Sequence, residues 1–130
     1  LPERALRRIS DRMTIHWAQV FGAAGLGGFR LLPVEGHLVT VCTCAACRFA
    51  GGGEILEAIG QALGIAPGET TADGAFTLET SGNVAAGATS PALRIDTLIY
   101  GPLTVEHARH LVDRRRTDDR ASRRTAAATA

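Results

Sequence analysis

The sequence predicts a small α/β domain with a short helical region ahead of it. Three observations carry that expectation. An apolar run, Leu38-Val39-Thr40-Val41, leads through a glycine-rich stretch into residues spaced for a helix from Glu54, and a second strand run follows at Ala75. Two further short strand runs and a last helical pattern come next, whereas residues 1–32 show mainly helical spacing. The 130 residues, 45% of them hydrophobic, suffice for one packed domain, and an aromatic content of 5% leaves small aliphatic side chains to fill its core.

Taken in order, Pro2 to Met13 reads as a first helix, with proline in the opening turn, Leu6, Ile9 and Met13 on one side and Arg4, Arg7, Arg8 and Arg12 on the other. The arginine face reads as solvated surface or, in the sharper reading, as a docking face for a partner subunit. Thr14 is placed to cap a second helix from Ile15 to about Ala24, whose buried stripe is Trp17, Val20, Phe21 and Ala24. Gly25 to Gly28 stops it, Phe29 to Leu32 is extended, and Pro33 to Gly36 turns the chain.

His37 to Cys42 is a strand whose continuous apolar middle suits burial on both faces. Ile55, Ala58, Ile59, Ala62 and Leu63 then repeat at helical spacing, and Gly64 supplies the stop. Turns at Pro67-Gly68 and Thr71 to Gly74 precede a strand from Ala75 to Thr80, with Phe76 and Leu78 on one face. Ser81 to Pro91 is a loop of small residues. Ala92 to Ile95 and Leu98 to Tyr100 form two strands joined at Asp96-Thr97, and Thr104 caps a last helix that buries Val105, Ala108, Leu111 and Val112. From Arg114 the composition turns polar and repetitive, so residues 116–130 are expected to form a disordered tail. This order, strand, helix, strand, two adjacent strands and helix, predicts a thioredoxin-like domain over residues 37–115 behind a helical region over residues 1–32.

Charge and composition narrow the function. A net charge of +1 gives no overall field for nucleic acid or an acidic membrane surface, and no apolar stretch approaches the roughly 20 residues of a membrane-crossing helix. The chain opens at Leu1 rather than methionine and shows no signal peptide. All three cysteines fall within Cys42-Thr43-Cys44-Ala45-Ala46-Cys47, too close together for a disulfide framework. A reduced, cytoplasmic setting is expected on that ground. Thiols at the end of a strand, ahead of Gly51-Gly52-Gly53 and a helix, point to a metal or a redox partner. His107 and His110 read as surface residues, and Trp17 as core.

The spacing Leu1-Pro2-Glu3-x-Ala5-Leu6, Val20-Phe21-Gly22, Cys42-x4-Cys47, Glu54-Ile55-Leu56-Glu57-Ala58, Leu63-Gly64-Ile65-x-Pro67-Gly68-Glu69-Thr70-Thr71-x-Asp73-Gly74-x-Phe76-Thr77-Leu78-Glu79 and Tyr100-Gly101-x-Leu103-Thr104 resembles the E-type subunit of NADH:quinone oxidoreductase. The resemblance extends to the relatives of that subunit, the small electron-transfer subunits of NAD-linked formate dehydrogenases and hydrogenases. The resemblance implies a thioredoxin-like domain carrying one [2Fe-2S] cluster, no catalytic site of its own, and a flavin-binding, NADH-oxidising partner subunit. It also implies a cytoplasmic location, at the face of a membrane complex in some relatives, and further helices ahead of Leu1. Its ligands come as Cys-x4-Cys and, after the second strand, Cys-x3-Cys. The first pair falls on Cys42 and Cys47, the second on Asn83 and Gly87.

A [2Fe-2S] cluster usually takes four protein ligands, two per iron, and neither asparagine nor glycine replaces a thiolate. The expectation is therefore an accessory subunit that keeps the docking scaffold and lacks a complete cluster site. Three alternatives stay open at this point. One is a genuine electron carrier with an atypical or bridged cluster. Another is a zinc site on Cys42, Cys44 and Cys47 with an outside ligand such as His37. The last is thiol redox chemistry at Cys44-x-x-Cys47.

Overall fold

A computed structural model describes residues 1–26, 36–84 and 89–128, with side chains through residue 122. The chain divides into two compact units, Leu1–Val34 and Glu35–Ala130. The expected extended segment from Phe29 to Leu32 lies outside the described residues.

The first unit is a pair of helices, α1 (Glu3–Met13) and α2 (Trp17–Leu26). Leu6, Val20 and Ala24 are buried between them, with Ile15 and Trp17 packed at the edge. Arg7 serves this packing from the polar side. Its guanidinium lies 4.7 Å from the Trp17 ring centre and pairs with Glu3 one turn earlier at 2.6 Å. Thr14 does not cap the second helix. It closes the first in the left-handed region (φ 54°), its N–H donating to the Ser10 carbonyl, and the Ser10 hydroxyl donates to the Ile15 carbonyl at 2.6 Å. The second helix consequently starts two residues late, at Trp17. The helix is described through Leu26, so Gly25 lies inside it, where a single glycine costs only about 1 kcal/mol. Phe21, expected inside, is 46% exposed, as are Ile9 and Met13 in large part.

The second unit is organised on four strands: β1 (His37–Cys42), β2 (Phe76–Ser81), β3 (Leu93–Ile95) and β4 (Leu98–Tyr100), in the spatial order β2-β1-β3-β4. β1 and β2 run parallel, and the other pairs are antiparallel. A parallel pair needs a crossover, which α3 (Ala45–Phe49) and α4 (Gly52–Leu63) supply. Val39, Val41, Phe76, Leu78, Leu93 and Ile95 are fully buried, packed with Ile55 and Ile59 of α4 and with Ala108 and Val112 of α5 (Val105–Ala128). Each of the larger side chains contributes about 1.5–3 kcal/mol by leaving water. This is the thioredoxin-like α/β arrangement that the order of elements predicts.

The two ends of β1 are held by different contacts. Because β1 and β2 are parallel with Cys42 opposite Ser81, the chain leaves both strands at the same end of the sheet. The Thr43 N–H donates to the Ser81 carbonyl at 2.8 Å, tying the two exits together, and the Cys42 N–H donates to the Ala92 carbonyl at 3.0 Å, tying β1 to the start of β3. At the opposite end of β1, Asp96 (φ 56°) turns β3 into β4, accepts the Leu38 N–H at 2.9 Å, and meets His37 Nδ1 at 2.7 Å.

The last helix differs most from expectation. Thr104 caps it, its hydroxyl accepting the His107 N–H at 3.2 Å, but the helix continues through the stretch expected to be a disordered tail, as far as Ala128. Arg116 anchors the first added turn by donating to the Ala62 carbonyl of α4 at 3.3 Å. Beyond it the arginines and alanines are good helix formers, so the helix needs no core to continue. Among the described residues no helix is long and apolar enough to cross a membrane.

Candidate metal centre

The site is built from the end of β1 outward. Strand pairing fixes Cys42, which is 3% exposed. Cys44 follows at the N-cap of α3 in extended conformation (φ −60°, ψ 162°), where its sulfur accepts the Cys47 N–H at 3.4 Å. Serine, threonine, aspartate and asparagine usually do this work. A sulfur in their place lets the cap reach the site as well. The cap brings Cys47 round to the third position of α3, 1% exposed, and its thiol donates to the Ser90 hydroxyl at 3.4 Å. The three sulfur atoms lie within 4.8 Å of one another.

The helix α3 replaces what the apolar spacing suggests is loop. Its signal in the sequence is Ala45-Ala46, two of the best helix formers, directly after a capping-type position. Within Gly51 to Gly53, Gly52 is buried. A Cβ there would stand 2.8 Å from the Cys47 carbonyl oxygen, so glycine is what lets α4 approach the cysteine turn.

The surroundings treat the sulfurs differently. Burial pushes the Cys42 thiol up from its ordinary pKa, and the N–H groups of Cys44 and Val84 directed at it offset part of that rise. Cys44 is held below the ordinary value, chiefly by the Cys47 N–H and then by hydrogen bonding to Cys42 and Cys47. Cys44 is only half-buried, on the rim of an apolar group formed by Cys42, Cys47, Val84 and Ala92. One accessible, easily ionised sulfur thus stands beside two enclosed ones.

The other predicted site residues are not brought to this centre. His37 is hydrogen-bonded to Asp96 at the far end of β1, about 16 Å along the strand from Cys42 at some 3.3 Å per residue. The zinc arrangement that borrows His37 is therefore ruled out. His107 and His110 are exposed on α5, as expected. Asn83 is exposed on the β2 exit, where its N–H donates to the Ser81 hydroxyl at 3.3 Å and its carbonyl accepts from that hydroxyl at 2.9 Å. Gly87 lies outside the described residues. Val84, 2% exposed, brings an apolar side chain from this exit into the group that holds Cys42 and Cys47.

The residues present can be tested against the [2Fe-2S] cluster that the resemblance implies. Cys42 and Cys47 come from the correct loop and lie close enough to hold one iron. The chain contains no fourth cysteine, and all three that it has belong to one turn. The donor set falls one thiolate short of the usual four, and the β2 exit contributes none.

Comparison with known proteins places the chain among relatives. The family model described as thioredoxin-like [2Fe-2S] ferredoxin matches residues 1–116. The chain is 34% identical over 119 residues to the E subunit of NADH-quinone oxidoreductase from Escherichia coli strain K12, covering 88% of the chain and 69% of that protein. It is 33% identical over 119 residues to the corresponding E subunit from Mycobacterium tuberculosis strain H37Rv, covering 91% of the chain. It spans about half (47%) of that mycobacterial protein. The NADP-reducing hydrogenase subunit HndA of Solidesulfovibrio fructosivorans is 29% identical over 105 residues, with 80% of the chain and 61% of that protein covered. Among solved structures, an NAD+-reducing [NiFe]-hydrogenase in the H2-reduced state shares the fold at a TM-score of 0.70 and 17% identity, over 88% of this chain and 20% of that one. With its first cysteine pair in place and the model matched from Leu1 to Arg116, this chain belongs to the thioredoxin-like [2Fe-2S] ferredoxin family.

Proposed function

We propose that this chain is an accessory subunit of an NADH-linked oxidoreductase complex, cytoplasmic, docking to a flavin-bearing subunit through a scaffold whose own cluster site is incomplete. The observation that carries the reading is the donor set: Cys42, Cys44 and Cys47 on the β1 exit, and Asn83 and Val84 on the β2 exit. Three thiolates, all from the β1 exit, would leave the second iron without its own pair of ligands, and such a centre is absent or labile. Support for the partner comes from the relatives' names, which are those of NADH-quinone oxidoreductase and hydrogenase subunits.

The docking half is tested by co-expressing the chain with the NADH-oxidising flavoprotein of the same genome and purifying through a tag on either one. The reading predicts a stoichiometric complex that retains NADH-to-dye activity, with no iron–sulfur signal attributable to this chain. Failure of the two to co-purify under any salt condition contradicts the docking role. A reducible cluster on this chain, carrying about two irons, supports the electron-carrier reading instead.

A further inference from the structure

We propose that Cys42, Cys44 and Cys47 form a mononuclear zinc site, a three-thiolate pocket that closes on one d10 cation and leaves its fourth position to water. Such a site rests on the turn alone. It does not depend on whether the subunit docks to a flavoprotein.

The geometry is that of one metal rather than two. Thiolates around tetrahedral zinc at a Zn–S length of ~2.3 Å stand about 3.8 Å apart. The three sulfurs already lie within 4.8 Å, so each pair closes by about 1 Å at most, within reach of χ1 adjustments. Every ligand comes from one six-residue turn held by β1 pairing, the α3 cap and the close approach at Gly52, which makes the site local and preformed. Cys44, which the two-pair cluster pattern does not use, is the third ligand.

The surroundings also suit thiolates around a cation. The Cys47 N–H donates to the Cys44 sulfur at 3.4 Å. Such a donor offsets part of the surplus negative charge that three thiolates leave on a divalent ion. The Ser90 hydroxyl stands 3.4 Å from the Cys47 sulfur and accepts from it while it is a thiol. On metal binding the roles reverse, and the hydroxyl donates to the thiolate. Val84 and Ala92 dry the inner side, whereas half-buried Cys44 leaves an entry path and a solvent-facing fourth position. Binding releases one proton from each thiol that becomes a ligand, and no electron is transferred, so affinity rises with pH until the thiols are ionised.

The test uses the full chain, purified anaerobically, stripped with chelator and titrated separately with Zn2+ and Co2+. The proposal predicts one ion per chain and, with cobalt, intense sulfur-to-metal charge-transfer bands scaled to three thiolates together with the visible bands of tetrahedral coordination. Cys44→Ser keeps a good N-cap and therefore the fold, and is expected to weaken zinc at least ~10-fold while lowering the charge-transfer intensity by about a third. Ser90→Ala, a change to a positioning residue, is expected to weaken zinc about 10-fold with the charge-transfer intensity unchanged. Three outcomes overturn the proposal: no ion bound at micromolar metal by a chain with native circular dichroism, octahedral cobalt without charge-transfer bands, or a Cys44→Ser chain that binds as tightly as the parent. None of these bears on co-purification with a flavoprotein.

Discussion

The two loops that leave the parallel strands β1 and β2 are delivered by the same architecture and do opposite things. Both emerge at one end of the sheet, fixed by the pairing of Cys42 with Ser81 and by the Thr43 N–H bond to the Ser81 carbonyl. The β1 exit carries three sulfurs within 4.8 Å, one of them built into a helix cap. The β2 exit carries an exposed Asn83 and a buried Val84 that packs on those sulfurs. Among the described residues, sulfur reaches this end of the sheet from the β1 exit alone. Scaffold and chemistry are specified by different residues, and the proposed function rests on the first being kept without half of the second.

The strongest way to break that contrast is to return sulfur to the second loop. The Asn83→Cys/Gly87→Cys double variant, reconstituted anaerobically with iron and sulfide, is expected to rise from little bound iron to about two irons per chain with the absorption of a [2Fe-2S] centre. A variant that gains nothing would show that the loops no longer meet as the family pattern requires.

A second experiment separates the scaffold from the turn. Leu78→Ala, at a fully buried position in β2, is expected to cost about 2–5 kcal/mol in chemical denaturation. Cys44→Ser is expected to leave the denaturation midpoint almost unmoved while it impairs metal binding. An equal loss of stability in both would mean that the turn helps to hold the sheet.

The far end of β1 gives a smaller effect. Asp96→Ala removes the acceptor of the Leu38 N–H and the partner of His37, and is expected to cost about 1–2 kcal/mol with zinc affinity unaltered. A change in metal affinity would restore His37 as a participant. The smallest effect is one of order among thiols. Because Cys44 is held below the ordinary thiol pKa and Cys42 above it, iodoacetamide at about pH 7.5 should label Cys44 first in the metal-free chain, with Cys42 following only as pH rises. Mass spectrometry of partially labelled protein reads this directly, and early labelling of Cys42 would contradict it.

The sheet was legible in the sequence because its signals are long and periodic. The apolar run of β1 and the repeat from Ile55 to Leu63 name the core, and the cysteine spacing names the family. What escaped was set by single hydrogen bonds and single residues. Thr14 has the chemistry of a helix start and became a helix end, because a left-handed residue there let its N–H reach Ser10. The helix α3 is too short for any period to register, and its cap is a cysteine. The extension of α5 to Ala128 rests on helix propensity without a core, which a reading of burial alone takes for a tail. At the site, the three thiols could be counted from sequence, but only the structure shows that His37 faces Asp96 and that Val84 occupies the other side.

The central claim is that this chain carries the family's scaffold without its cluster. Iron and acid-labile sulfide, measured on the parent chain purified anaerobically and again after reconstitution, test it most directly. The expected result is iron well below one per chain in both samples and no reducible iron–sulfur signal. About two irons and two sulfides per chain, with a reducible [2Fe-2S] spectrum, would contradict it.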